Sequence, residues 1–332
     1  MADWLEFVAK LDGRKLMRHA VLTFNGTWGA GLVQYPSNIV NGLAEFVDPR
    51  LCFEVAVPGP YSFGPLGGAI TAPSYQQSVE QAVNWAKQWI IANPWQTFAL
   101  IGYSLGAEAA SRVLMWLQGD GLAYLPNFIG GITIGNPSRG SGFHAPTIVD
   151  PGGHGVSPIR IKVLPTIDGQ IVWADYVHSP ANGDAGLDMY GSVPEGIVGE
   201  DMVDVYQIAT NFQLGDLGAL SQSMGTLLTK AAMDSGLVDA VEGGLGGLLS
   251  LGWEFILGMI ESAIGAPPVN PTKGEAGGMA AVEGIRFLAA PGGPTAPHIS
   301  YLGEIGGYSN QVADAVGFLH DLAINANVRL AA

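Results

Sequence analysis

At 332 residues the chain is long for one compact domain and short for two large ones, so one domain carrying an insertion is expected. Hydrophobic residues make up 48% and charged residues 13%, which excludes a disordered chain. The net charge is −15, with 16 acidic and 2 basic residues between Val163 and Ile285, and no basic stripe offers itself to a phosphate backbone; nucleic acid is excluded as a partner.

In chain order, residues Met1 to Lys15 hold no apolar run of secretory type, so no signal peptide is expected and the product is expected to be made in the cytoplasm. Ala20 to Phe24 reads as a first strand ending at Asn25-Gly26-Thr27-Trp28-Gly29, and Cys52 to Val57 as a second ending at Pro58-Gly59. Cys52, the only cysteine, excludes an internal disulfide and reads as a buried structural thiol. Ser74 to Ala92 predicts a helix, because Val79, Ala82, Val83, Ala86 and Ile90 recur at spacings of three and four. Thr97 to Ile101 is a third strand, Ala107 to Leu117 a helix, and Phe128 to Ile134 a strand ending at Gly135-Asn136-Pro137. Ile159 to Leu164 is a further strand candidate, and Val172 to Val177 a strand or turn.

From Gly199 the texture changes. Asp201 to Ala266 is rich in Leu, Met, Ala and Gly and predicts several short helices, closed by Pro267-Pro268-Val269-Asn270-Pro271. Glu283 to Ala289 then predicts a last strand, Pro291 to Pro297 a loop, and Ser309 to Asn325 a final helix. Strands alternating with helices imply an α/β fold with a mostly parallel sheet. The expected organisation is an α/β domain of residues 1–198 and 281–332 interrupted by a helical linker or cap at 199–280. The most apolar segment, Gly243 to Pro267, contains Glu254 and Glu261, which argues against a membrane span. No calcium-loop spacing occurs, and the Gly243–Gly247 run lacks the lysine of a phosphate loop; neither metal nor cofactor is expected.

The stretch Ala99 to Leu117 contains Gly102-Tyr103-Ser104-Leu105-Gly106. In a chain with 48 Gly and 18 Ser, G-x-S-x-G occurs by chance about 0.4 times, so the pentapeptide is informative only through its setting. Its setting is an apolar strand followed directly by an amphipathic helix, as in a nucleophile elbow. Gly102 and Gly106 leave room where a β-carbon would clash, and the helix N-terminus directs the amide of Leu105 to where an oxyanion would form. Ser104 is therefore the candidate nucleophile, with Thr27 the candidate for a second oxyanion-hole donor; a plain turn at Asn25-Gly26 is the alternative.

An activated serine needs a base oriented by an acid, in the order Ser, Asp or Glu, His for this fold. His298, in the Pro/Gly-rich loop PGGPTAPHISY, is the best base and His178 the next. His154 lies in another plausible loop, His144 ranks lower, His320 falls in the last helix, and His19 precedes the serine. For the acid, Asp175, Asp184 and Asp188 are available in WADYVHSPANGDAGLDMYG. Asp184 follows Asn-Gly and is a natural turn former, while Asp188 stands among apolar neighbours and needs a partner such as an imidazolium. Spacing leaves the two open.

The set G-Y-S-L-G-A, I-G-N-P-S-R (Ile134 to Arg139), L-D-M-Y (Leu187 to Tyr190) and the late histidine resembles the Lysin B esterases of mycobacteriophages, themselves similar to cutinases. The resemblance spans Arg18 to Tyr190 and Glu283 to Asn325. It implies an α/β-hydrolase fold and a serine esterase that cleaves the ester between mycolic acids and arabinogalactan at the host envelope during lysis. It further implies Asp188 as the triad acid with His298 as base, and an insertion matching the family's linker domain. No N-terminal peptidoglycan-binding region is expected. Leu245, Leu248, Leu249, Phe255, Met259 and Ile260 are expected to border the acyl path, or else to pack on one another. A cutinase-like lipase or general carboxylesterase is one alternative, and a non-catalytic envelope-binding protein on a hydrolase fold is the other.

Overall fold

The computed structural model describes residues 18–64, 71–210, 283–284, 290–293 and 295–331. Its centre is a sheet of β1 (His19–Phe24), β2 (Cys52–Ala56), β3 (Phe98–Tyr103), β4 (Phe128–Ile134) and β7 (Trp173–Tyr176). The order is β2-β1-β3-β4-β7 and every pairing is parallel. The three central strands are buried at every position, as their mostly apolar sequences require of strands covered on both faces.

The helices are α1 (Tyr35–Phe46), α2 (Tyr75–Ala92), α3 (Leu105–Leu117), α4 (Ile197–Thr210), α5 (Ala296–Ile299) and α6 (Gln311–Ala331). Period-two alternation sorts the strand side chains between two layers. Leu22, Phe24, Phe98 and Leu100 pack with Val79, Ala82 and Val83 of α2 and Val113 and Leu114 of α3. Val21, Ala99 and Ile101 pack with Ile39, Val40 and Leu43 of α1 and Val312, Ala315 and Leu319 of α6. Each fully buried Val, Leu or Ile contributes about 1.5–3 kcal/mol.

Helix α2 begins where expected, because Ser74 and Gln77 form a reciprocal capping box: Ser74 Oγ accepts from the Gln77 N–H (3.2 Å) and Gln77 Oε1 from the Ser74 N–H (3.0 Å). Helix α1 was not anticipated. Its sequence, YPSNIVNGLAEF, mixes turn-forming Ser, Asn and Gly with a short apolar stripe, yet Pro36 suits the first helical turn.

The segment Ile159 to Leu164 is not a strand. Its backbone is engaged by a loop instead: the Ile161 N–H donates to Ser138 O (3.0 Å), and Ile159 O accepts from the Ser138 hydroxyl (2.6 Å). A two-residue hairpin follows, β5 (Thr166–Ile167) and β6 (Gln170–Ile171), turned by Asp168 (φ 52°) and Gly169 (φ 77°). Asp175 lies within β7.

Helix α4 starts two residues before 199, the expected start of the helical insertion. Tyr206 on α4 donates to Glu108 Oε2 on α3 (2.6 Å), tying α4 to the helical layer over the sheet. Glu283 and Gly284 are helical rather than extended, and the rest of the expected last strand, 285–289, lies outside the described residues. So do residues 211–282, including Leu245, Leu248, Leu249, Phe255, Met259 and Ile260. Among the described residues no helix is long and apolar enough to cross a membrane.

The topology positions the site. From β1 the chain moves outward to β2, then crosses back to β3 on the other side of β1. The strand order therefore reverses between β1 and β3, and in open α/β sheets ligands bind outside the carboxyl ends of the strands at such a point. Asn25-Gly26-Thr27 leaves the end of β1 there, and Ser104 the end of β3.

Candidate active site

Ser104 links β3 to α3 with φ 54° and ψ −119°, a conformation that costs a non-glycine residue about 1–3 kcal/mol and is held only by its surroundings. Its N–H donates to Ile134 O at the end of β4 (2.9 Å). Both glycines of the motif are needed for the turn. A β-carbon on Gly102 would stand 2.3 Å from Gly106 O, and one on Gly106 would stand 2.1 Å from Phe24 O.

The structure brings together the three residues expected to act as a unit. Ser104 Oγ lies 2.8 Å from His298 Nε2, and His298 Nδ1 lies 2.8 Å from Asp188 Oδ2. A carboxylate only accepts, so Nδ1 carries the proton and Nε2 is left to accept from the serine hydroxyl. Asp188 is fully buried, and His298 and Ser104 are 7% and 6% exposed. His298 is the third residue of the short helix α5 rather than a loop residue. Its ring stacks on Tyr190 (centroids 4.3 Å apart) and Tyr103 (5.2 Å). The Tyr103 hydroxyl donates to His298 O (2.9 Å), fixing the histidine backbone to the strand that leads to Ser104.

Asp188 takes three donors: the Tyr190 N–H on Oδ1 (3.0 Å), and on Oδ2 both His298 Nδ1–H and the Tyr301 hydroxyl (2.6 Å). Gly135, of the Ile134–Arg139 motif, lets the end of β4 pass beneath this pair: it holds φ 55°, and a β-carbon there would lie 2.7 Å from both Asp188 Oδ2 and His298 Nδ1.

The other candidates occupy different places. His178 is buried away from the serine, with Nδ1 2.8 Å from Pro297 O and Nε2 3.0 Å from Ser309 O, so it braces the segment that carries His298. His154 contacts Gly155 O and Arg160, His144 contacts Ala145 O, and His320 lies on α6 beside Asp321. His19 in β1 contacts the Thr97 hydroxyl, and burial lowers its pKa to about 4. Asp184 accepts from the Ser309 N–H and hydroxyl (each 2.9 Å) and from the Ser179 N–H (2.9 Å), a turn-bracing role. Asp175, fully buried, accepts from Thr133, Asn136 and Trp173. The Cys52 thiol is buried and pushed up to about 12 by desolvation, as suits a structural thiol.

The Ile134–Arg139 motif is scaffold for the acid. Buried Arg139 donates to Gly191 O (2.5 Å), Phe143 O (2.8 Å), Gly152 O and Gly153 O (2.9 Å). Gly191 N–H in turn donates to the carbonyl of Asp188 (3.2 Å), so one guanidinium ties the acid's loop to its neighbour.

Of the two expected oxyanion donors, Leu105 is the first residue of α3, where the N–H has no partner within the helix. Thr27 follows Gly26, whose own β-carbon position would be 3.2 Å from Ser104 Cβ. Sequence reading missed Tyr301, Tyr190 and Tyr103 as neighbours of the acid and base. Tyr190 stands two residues after Asp188, and Tyr301 three after His298, just beyond the short helix that carries it; only that spacing hinted at them.

A parallel sheet with a serine elbow after β3, an acid after β7 and a later histidine defines an α/β hydrolase. The chain is similar to lysin B from Mycobacteriophage D29, at 17% identity over 86% of this chain and 99% of that one, with a TM-score of 0.42. It is also similar to the catalytic core domain of an acetyl xylan esterase from Trichoderma reesei (18% identity, 59% and 96% coverage, TM-score 0.41) and to a cutinase-like protein from Cryptococcus sp. (19%, 54% and 82%, 0.34). No protein-family model and no curated protein matches the sequence.

Proposed function

We propose that this chain is a serine esterase of phage lysis, hydrolysing the ester between mycolic acids and arabinogalactan in the mycobacterial outer envelope. The observation that carries the esterase reading is the unbroken hydrogen-bonded line from Ser104 through His298 to Asp188, built on a strained elbow at the switch point of the sheet. In this reading His298 Nε2 takes the Ser104 proton as Oγ attacks the ester carbonyl, and Asp188 stabilises the imidazolium. The amides of Leu105 and Thr27 receive the oxyanion. His298 then protonates the leaving sugar alcohol, and a water activated by the same ring releases the fatty acid from Ser104. The mycolyl substrate and the envelope setting rest on the motifs G-N-P-S-R and D-M-Y, and need no cofactor.

Purified mycobacterial cell-wall material tests the substrate. The expected result is release of free mycolic acids by the wild-type chain and none by Ser104→Ala. Hydrolysis confined to short soluble esters makes it a cutinase-like lipase or general carboxylesterase instead. Absence of Ser104-dependent hydrolysis of any ester leaves an envelope-binding protein.

A further inference from the structure

Tyr301 lies wholly within the protein, and its hydroxyl donates to the same carboxylate oxygen of Asp188 that receives His298 Nδ1–H. The direction of that bond is fixed. The backbone N–H of His178 points at the Tyr301 oxygen from 3.4 Å, so the phenol accepts there and spends its proton on Asp188. The ring itself cannot swing away. It stacks on His178 with centroids 4.1 Å apart and planes 10° from parallel, and meets Tyr35 edge-on at 5.7 Å. His178 in turn faces two backbone carbonyls, Pro297 and Ser309, on either side of His298 in the sequence.

From this geometry we infer that Tyr301 is a positioning residue for the Ser104–His298–Asp188 line, sharing the charge of Asp188 Oδ2 with the imidazole and so setting how strongly His298 holds its catalytic proton. The inference rests on the esterase reading above. Two donors on one oxygen divide its charge. With the phenol present, the pull of Oδ2 on Nδ1–H is moderated, and the ring releases its Nε2 proton more readily to the leaving group. With the phenol gone, all of that charge falls on Nδ1–H, the imidazolium is favoured, and the neutral base exists only at higher pH. Other charged or titratable groups around the pair are Tyr103 of β3, Tyr190, Tyr35 with Glu304 beyond it, His178 with Asp184 braced against Ser309, and Arg139. The Tyr301 hydroxyl and His298 Nδ1–H meet on the same oxygen, Asp188 Oδ2.

The test is the pH profile of kcat/KM on a soluble p-nitrophenyl ester for wild type, Tyr301→Phe, and protein carrying 3-fluorotyrosine at position 301. Tyr176→Phe is the control: it also deletes a buried phenol bonded to a carboxylate, but that carboxylate is Asp314 rather than Asp188. The expected results are an acid limb displaced upward by roughly half a pH unit or more in Tyr301→Phe, with rate lost mainly below that limb, and displaced downward with the more acidic fluorinated phenol, a stronger donor. The control keeps the wild-type limb. The fluorinated protein retains size and hydroxyl, so it decides the matter even if Tyr301→Phe folds poorly. Limbs that superimpose on wild type in both proteins, with Ser104-dependence intact, overturn this inference alone. Ester hydrolysis that survives Ser104→Ala overturns the esterase reading and this inference together.

Discussion

Asp188 and Asp175 are both sealed from water, both accept three or more hydrogen bonds, and both sit beyond or within β7, yet the proposed mechanism puts them to different uses. Every donor to Asp175 is scaffold: Thr133 and Asn136 from β4 and its end, and Trp173 from its own strand. Burial still pushes its carboxyl above the ordinary value, against those bonds and the nearby Arg139 guanidinium. Asp188 has one donor, the His298 imidazole, that also reaches the Ser104 hydroxyl. A buried carboxylate is thus no sign of catalysis in itself; what marks the acid is a titratable partner that reaches a nucleophile.

Substitution at each site should separate these uses, beginning with the largest effect. Asp188→Asn should lower kcat by about 10³–10⁴-fold while the protein stays folded, because an amide there favours the wrong tautomer of His298. Steady-state kinetics with a melting curve on the same sample checks it. Asp175→Asn should do the reverse: about 2–4 kcal/mol of stability lost in urea unfolding, since an NH₂ would face the Trp173 or Asn136 donors, with kcat of the folded fraction within a few-fold of wild type. Asp184→Asn should be milder on both counts, costing about 1–2 kcal/mol at the Ser179 or Ser309 bonds and leaving turnover within a few-fold.

His19 supplies a comparison by pH. Its pKa falls to about 4 in the folded chain because burial disfavours the charge, while the unfolded chain binds the proton near the ordinary 6.5. Its contribution is complete above pH 6.5 and is lost as pH falls toward 4, an effect on the order of 3 kcal/mol. Stability measured across that window should show a slope that His19→Gln removes, while the acid limb of ester hydrolysis remains.

Much of this was legible in the sequence, for reasons the structure makes plain. Four of the five sheet strands announce themselves as apolar runs ending at turn residues, whereas Asp175 left β7 open between strand and turn, and Ser104 sits at a strand–helix junction whose two glycines have no room for a side chain. The choice between Asp184 and Asp188 was not legible from spacing, because both lie in one loop and differ only in which distant segment they meet: Ser309 in one case, His298 in the other. Tyr301 and the bracing role of His178 were hidden for the same reason, since their contacts cross more than a hundred residues. Helix α1 was obscured by its Asn and Gly, and the strand expected at Ile159 to Leu164 gave way to loop contacts with Ser138.

The central claim is that Ser104 is a nucleophile activated through His298 by Asp188. It is tested most directly by exposing the wild-type chain to an activated alkyl phosphonate ester and locating the adduct by intact mass and peptide mapping. The account predicts one phosphonyl group per chain, on Ser104, abolished by Ser104→Ala and strongly slowed by Asp188→Asn. No adduct on Ser104, or one that forms as fast in Asp188→Asn as in wild type, would contradict it.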